Sequence, residues 1–263
     1  MNNLNNTSKL RIVSDYLDFE KNKPEGIHFY MNKKDIYKNY ALIIGPKNTP
    51  YFGGYYIFEI KFPNNYPDNS PSVKLLTVDG KIRFNPNLYE CGKVCLSILG
   101  TWNGPGWTNV MTLRTVLISI QSLMGEFPLR NEPGLEEVKE NDPRNICYNN
   151  FLNYYNLELA TINVIYNVIE LKKKTKSKLK SNNDNFIKFK EVEYFSDIII
   201  DSFKNNYDDI NNQIKSLQII LGEIEFDRMV YFLPSKVHLD FVYLNEKFDN
   251  MNDILKKNEF ILT

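Results

Sequence analysis

The chain has 263 residues, 43% of them apolar and 14% aromatic, enough for one large domain or for a core with an extension. Lysine and arginine together number 32, as do aspartate and glutamate, and that balance argues against a primary role on nucleic acid or at a membrane surface. Three cysteines at irregular spacing make no disulfide framework, no apolar run is long enough to span a bilayer, and the first residues lack the basic start and apolar centre of a signal peptide, so the expected setting is soluble and reducing: the cytoplasm, with the nucleus also open.

Taken in chain order, Ser8 is placed to cap a first helix with apolar positions Ile12, Val13, Tyr16, Leu17 and Phe19, ended by Pro24 and Gly26. Ile36 to Ile44 alternates loosely and reads as a strand. Turns follow at Gly45-Pro46-Lys47-Asn48-Thr49-Pro50 and Gly53-Gly54. Tyr55 to Phe62, rich in aromatic and β-branched residues, is a strong strand stopped by Pro63, and Val73 to Thr77 is a short one. Adjacent strands joined by short turns predict an antiparallel meander. Thr112 to Met124 has the apolar stripe of a core helix, at Leu113, Val116, Leu117, Ile120, Leu123 and Met124.

Asn131-Glu132-Pro133-Gly134 is a turn, and Ile146 to about Ile169 a long helix. From Leu159 onward Gly222 and Pro234 are the only glycine and proline, so that region is expected to be mostly helical. It has helical segments at about Tyr194 to Tyr207, Asp208 to Leu221 and Asp240 to Lys257, with Asp227 to Leu239 ambiguous. The lysines between Leu171 and Lys190 read as a solvated connector rather than a nucleic-acid site, because stacking aromatics are absent from the lysine cluster Lys172 to Lys180.

The chemistry points to Arg83 through Leu99. Cys95 opens a small apolar run just after the Gly92-Lys93 turn, and Asn87 lies eight residues upstream in an Asn85-Pro86-Asn87 turn. Such an arrangement suits a thiol presented at a surface with an amide donor nearby. A lone cysteine in an apolar run is otherwise inert core, and the asparagines flanking Pro86 otherwise only shape a turn. Both histidines, His28 and His238, are distant in sequence. A thiol without a histidine base is better suited to accepting an already activated acyl group than to attacking an amide. A thiol protease would need one imidazole beside Cys95. The transition state for amine attack on a Cys95 thioester carries charge on the carbonyl oxygen, which the Asn87 amide can stabilise; comparable donors are worth about 3 kcal/mol. Glu132 is a candidate for orienting the amine. Cys91 has no companion at metal-ligand spacing, Cys147 reads as a packing residue in a helix, and Trp102 and Trp107 read as anchors of the loop after the cysteine.

These segments resemble the ubiquitin-conjugating enzymes. The matching pieces come in the family's order: Gly45-Pro46, Thr49-Pro50-Tyr51-Phe52-Gly53-Gly54, Phe62-Pro63-Asn64-Asn65-Tyr66-Pro67 with Pro71, Asn85-Pro86-Asn87, Gly92 to Leu99, and the helix Val116 to Met124. Arg83 to Asn87, Cys95 to Trp102, Ile118 to Met124 and Asn131-Glu132-Pro133-Gly134 are similar to the Z-type branch, which carries a C-terminal extension. The resemblance implies an α+β fold, with an N-terminal helix, a four-stranded antiparallel meander and a central helix, in a catalytic core over 8–158 followed by a helical extension over 159–263. It implies that Cys95 forms the thioester, that Asn87 stabilises the oxyanion or the loop, and that Glu132 sits near the acidic gate. Asn85, Pro86, Ser97, Trp102 and Trp107 would support the active-site loop. The implied partners are ubiquitin or a related modifier, an activating enzyme that consumes the ATP, a ligase and protein substrates; no cofactor or metal is expected in this chain, and neither nucleic acid nor membrane is an expected partner. A noncatalytic ubiquitin-binding scaffold on the same fold is the alternative.

Several positions depart from the family pattern. Asn85 replaces the usual histidine of His-Pro-Asn, as in the Z-type branch. Ser97 replaces a common aspartate, removing an acidic group that would orient lysine. Ser70 precedes Pro71 where a proline pair is usual, Asp68 replaces an apolar ligase-binding residue, and Thr108-Asn109 replaces Ser-Pro in the second ligase-binding loop. Partner ligases therefore do not carry over from better-known members.

Overall fold

The computed structural model describes residues 2–176 and 189–257. They form two compact units: Met1–Pro46 with Tyr56–Glu136, and Lys47–Tyr55 with Glu137–Thr263.

The first unit begins with α1 (Asn2–Lys21). Ser8 is not its cap. The helix starts earlier, and Ser8 is buried within it, its hydroxyl donating to the Asn64 carbonyl at 2.6 Å. The buried stripe is narrower than the apolar pattern suggested, since Ile12 and Phe19 face the core while Val13 and Leu17 face solvent.

Four strands follow in sequential order: β1 (Ile27–Tyr30), β2 (Lys38–Ile44), β3 (Tyr55–Lys61) and β4 (Ser72–Leu75). β1 pairs antiparallel with β2, Ile27 opposite Ile43, and β3 with β4, Phe58 opposite Leu75. The sequence pattern missed β1. It has only four residues, and its alternation of buried Ile27 and Phe29 with half-buried His28 and Tyr30 is too short to register as a period.

The central helix α2 (Leu113–Ser122) buries Leu113, Val116, Leu117 and Ile120. Thr112 caps it, in a box shared with Thr115. Asp15 fastens its start to α1: its carboxylate accepts the Leu113 amide at 3.1 Å, the Arg11 guanidinium at 2.7 Å and the Tyr66 hydroxyl.

In the second unit α3 (Pro143–Tyr155), a π-helical segment (Asn156–Asn163) and α4 (Val164–Lys176) run on as one long helix. The π segment is a hydrogen-bonding face for the 47–55 segment. Asn156 donates to the Phe52 carbonyl at 2.8 Å and Thr161 to the Gly53 carbonyl at 2.9 Å. Gly53 has φ +79°, and a Cβ there would sit 3.0 Å from the Ile210 side chain, so glycine is required on both counts. The lysine-rich connector lies partly outside the described residues. Its first residues extend α4 instead, Lys172 Nζ standing 2.6 Å from Asp197.

α5 (Ser196–Asn205), α6 (Tyr207–Leu221) and α7 (Phe241–Lys257) follow. Between α6 and α7 lies a hairpin, β5 (Glu223–Asp227) with β6 (Lys236–Asp240), Ile224 opposite Leu239 and Phe226 opposite Val237. The extension is thus not purely helical. Gly222 stops α6, and both flanking segments alternate charged with apolar residues, the period of a half-buried strand. No helix among the described residues is long and apolar enough to cross a membrane.

Candidate active site

The cysteine segment docks on the end of β4. The Leu75 amide donates to the Gly92 carbonyl at 2.8 Å. Gly92 has φ +88°, and a Cβ there would lie 2.3 Å from the Leu75 carbonyl oxygen. Only glycine permits that approach. The chain then folds on itself as a short antiparallel ladder, with Leu88 opposite Val94 and the Tyr89 amide donating to the Lys93 carbonyl at 3.0 Å.

Asn85 is the buried centre of the turn. Its amide nitrogen donates to the Leu123 carbonyl at 2.8 Å, at the end of α2, and its oxygen accepts the Asn87 backbone N–H at 2.9 Å. Asn131 completes the knot, donating to the Leu123 carbonyl at 3.1 Å. Pro86 is buried beside it, its carbonyl accepting from the Arg83 guanidinium, whose plane lies 3.8 Å from the Tyr89 ring centre. Burying a guanidinium is costly unless it is hydrogen-bonded, and this one braces the turn from behind.

Asn87 holds Cys95 directly. The Cys95 amide donates to the Asn87 carbonyl at 2.8 Å, and the Asn87 side-chain nitrogen donates to the Cys95 carbonyl at 2.7 Å. In this arrangement the Asn87 amide organises the loop, and one of its two N–H bonds is already engaged there.

Cys95 itself is 1% exposed. The expectation of a thiol presented at the surface differs from this geometry. The apolar run Val94-Cys95 turns inward with the ladder, while Cys91, at the ladder's tip, is the exposed thiol. Beyond Cys95 a 3₁₀ turn (Ser97–Leu99) leads to the exposed stretch Gly100–Gly106. Ser97 is half-buried, and Gly104, at φ +134°, returns so close that a Cβ there would lie 3.1 Å from the Ser97 Cβ.

The two tryptophans differ. Trp107 donates to the Pro67 carbonyl at 2.7 Å and packs 5.9 Å from the Tyr66 ring, which fastens the end of the loop. Trp102 is 38% exposed and makes no hydrogen bond or ring contact among the described residues, so it is not the anchor that its size suggests. Glu132 is buried at the end of a 3₁₀ turn (Pro128–Asn131), its amide donating to the Leu129 carbonyl at 3.0 Å. It follows Asn131 directly, and Asn131 joins this turn to Asn85.

Three contributors were not singled out from sequence. Asn131 and Arg83 carry no local signature of their contacts. Thr101 accepts the Leu96 amide at 3.0 Å and donates to the Val94 carbonyl at 2.7 Å, in the manner of a hydroxyl bonding nearby backbone. That propensity was a usable signal.

Neither histidine is hydrogen-bonded to Cys95 among the described residues. His238 lies 3.3 Å from Glu223. His28 is held neutral by burial and by Lys23, its pKa lowered to about 4. No described group of three or more His, Cys, Asp or Glu side chains is arranged to hold a metal ion. Cys147, in α3, has its thiol pKa raised by burial, with Met229 sulfur 3.7 Å away.

The fold is that of a known class. The ubiquitin-conjugating enzyme family model matches residues 11–151, and the chain belongs to that family. Within it the likeness is to Ubiquitin-conjugating enzyme E2 Z. The Xenopus tropicalis protein is 44% identical over 162 residues, covering 61% of this chain and 51% of that one. The Homo sapiens protein is 44% identical over 158 residues, covering 59% and 44%. The chain spans about half the length of these relatives. Among solved structures, human Ubiquitin-conjugating enzyme E2 G1 is 31% identical, with 44% of this chain and 93% of that one covered and a TM-score of 0.40.

Proposed function

We propose that the chain accepts ubiquitin or a ubiquitin-like modifier on Cys95 and passes it to a substrate lysine, with 8–158 as the catalytic core and 159–263 as its extension. The observation that carries this reading is the pairing of Asn87 with Cys95 on both sides of the thiol, within a segment that matches the family. The Cys95 thiolate attacks the modifier's thioester on the activating enzyme. A new carbon–sulfur bond forms, the old one breaks, and the departing thiolate takes a proton. A substrate amine then attacks the Cys95 thioester, its proton goes to solvent or to a carboxylate such as Glu132, and the Cys95 sulfur leaves. The bond broken and the bond formed are both thioesters, so the first step is nearly thermoneutral and no imidazole base is needed. The chain needs no cofactor of its own, since ATP is spent by the activating enzyme. A ligase supplies the substrate, in the cytoplasm or nucleus.

The second N–H of the Asn87 amide is the donor for the oxyanion. With Ser97 in place of an aspartate, Glu132 is the remaining acidic candidate for orienting the lysine. The burial of Cys95 means that charging requires the surrounding loop to yield.

That burial also favours a second reading, a noncatalytic scaffold that binds ubiquitin. One assay separates the two. The chain is incubated with activating enzyme, ATP and ubiquitin. An adduct released by reductant, which becomes reductant-resistant in Cys95→Ser, is expected. Binding of ubiquitin without any adduct would leave the scaffold reading standing.

A further inference from the structure

We infer that Thr101 is a positioning residue for Cys95, acting as the second of two clamps on the thiol's backbone; its consequence for modifier transfer rests on the function proposed above. The direction in which a cysteine projects its sulfur is set by the two peptide planes that flank its Cα. The plane before Cys95 contains the Val94 carbonyl and the Cys95 amide. The plane after it contains the Cys95 carbonyl and the Leu96 amide. All four groups are bonded, and each plane has one tie from Asn87 and one from Thr101.

In the first plane the Cys95 amide donates to the Asn87 carbonyl at 2.8 Å, and the Val94 carbonyl accepts the Thr101 hydroxyl at 2.7 Å. In the second the Cys95 carbonyl accepts the Asn87 side chain at 2.7 Å, and the Leu96 amide donates to the Thr101 oxygen at 3.0 Å. A plane tied at one atom can still swing about that bond. A plane tied at both cannot, and with both planes fixed the sulfur keeps only its side-chain torsion. The Thr101 hydroxyl uses its donor on one plane and its acceptor on the other, so a single group closes both. The Thr101 amide adds a bond to the Leu96 carbonyl at 3.2 Å, drawing the exposed stretch after Gly100 against the cysteine.

Thr101 is itself exposed. Replacing it with valine keeps the shape, opens no hole in the core and removes only the hydroxyl. Losing the clamp frees the Val94–Leu96 backbone to open, which exposes the sulfur more often but aims it less well. The two consequences have opposite signs, and that sets them apart from general damage.

The test compares wild type, Thr101→Val and Thr101→Ser in the full chain. Alkylation by iodoacetamide is followed by mass spectrometry at Cys95 and Cys147 separately. Cys95 in Thr101→Val is expected to react about five-fold faster, the weight of one net hydrogen bond, with Cys147 unchanged and Thr101→Ser at the wild-type rate. A wild-type rate at Cys95 in Thr101→Val overturns the inference. So does a rise shared by Cys147, or failure of serine to restore protection. In the charging assay Thr101→Val is expected to lower the maximal rate about five-fold without changing the KM for loaded activating enzyme. If no variant, wild type included, accepts a modifier, the proposed function fails, and the alkylation rates still decide the role of Thr101.

Discussion

Replacing Asn85 with alanine is the sharpest test of how the turn is held. The substitution removes the donor to the Leu123 carbonyl and the acceptor for the Asn87 amide. The Leu123 carbonyl keeps Asn131 at 3.1 Å, so its loss is modest, about 1 kcal/mol. The Asn87 amide is buried and keeps no partner, which costs about 1–3 kcal/mol. The sum is about 2–4 kcal/mol, or roughly 5–15 °C in melting temperature for a chain of this size. Both tryptophans lie on the loop of the same unit, so fluorescence-detected unfolding reads the effect there. Asn85→His is the informative companion. A neutral imidazole has one acceptor and one donor, enough for the Asn87 amide and the Leu123 carbonyl, so its cost at pH 8 should stay below about 1 kcal/mol. Protonation turns the acceptor into a donor aimed at an N–H. The folded-state pKa of that histidine therefore falls below its unfolded value, and stability present above about pH 6.5 is lost as pH drops through it. An alanine variant as stable as wild type, or a histidine variant as damaged as alanine at pH 8, would refute the reasoning.

Gly92→Ala must place a methyl 2.3 Å from the Leu75 carbonyl at φ +88°. The dihedral alone costs about 1–2 kcal/mol, so urea unfolding should show a loss of about 3 kcal/mol or more once the collision is included; a change below about 1 kcal/mol would contradict the docking described. His28, with its pKa lowered to about 4 by burial and Lys23, makes the fold less stable as pH falls from its unfolded pKa near 6.5 toward 4, because the unfolded chain binds the proton first. His28→Gln should flatten that part of the stability curve, and an unchanged slope would discount the histidine. Thr161→Val leaves the Gly53 carbonyl without its donor, an expected loss of about 1–3 kcal/mol, and should make residues 47–55 cleave faster in limited proteolysis.

What the sequence made legible was whatever has a strong local signature. The aromatic and β-branched run of β3 and the stripe of α2 were readable because each repeats its own period. β1 was not, being only two repeats long, and the hairpin β5–β6 was hidden by the helical texture around it. The Asn85-Pro86-Asn87 turn and Cys95 were visible as a motif, but the depth of the thiol was not, because burial depends on where the ladder turns. Ser8 looked like a cap because serine ahead of an apolar stripe usually is one; here its hydroxyl serves the Asn64 carbonyl, 56 residues away. Asn131 belongs to the same class of miss, a polar residue whose partners are chosen by the tertiary fold, whereas Thr101 bonds backbone close to it in sequence.

The nine residues from Lys47 to Tyr55 carry a further consequence. They are flanked on both sides by chain that belongs to the other compact unit, yet the Phe52 and Gly53 carbonyls are held by Asn156 and Thr161, and Gly53 is shielded by Ile210. No single cut can separate the units cleanly. A deletion beginning at 159 would strip Thr161 and Ile210 from a loop left behind in the remainder, so a shortened chain would report the injury to that loop together with any lost activity. Any truncation that removes Ile210 meets part of the same penalty, whereas one that ends beyond it leaves both contacts in place.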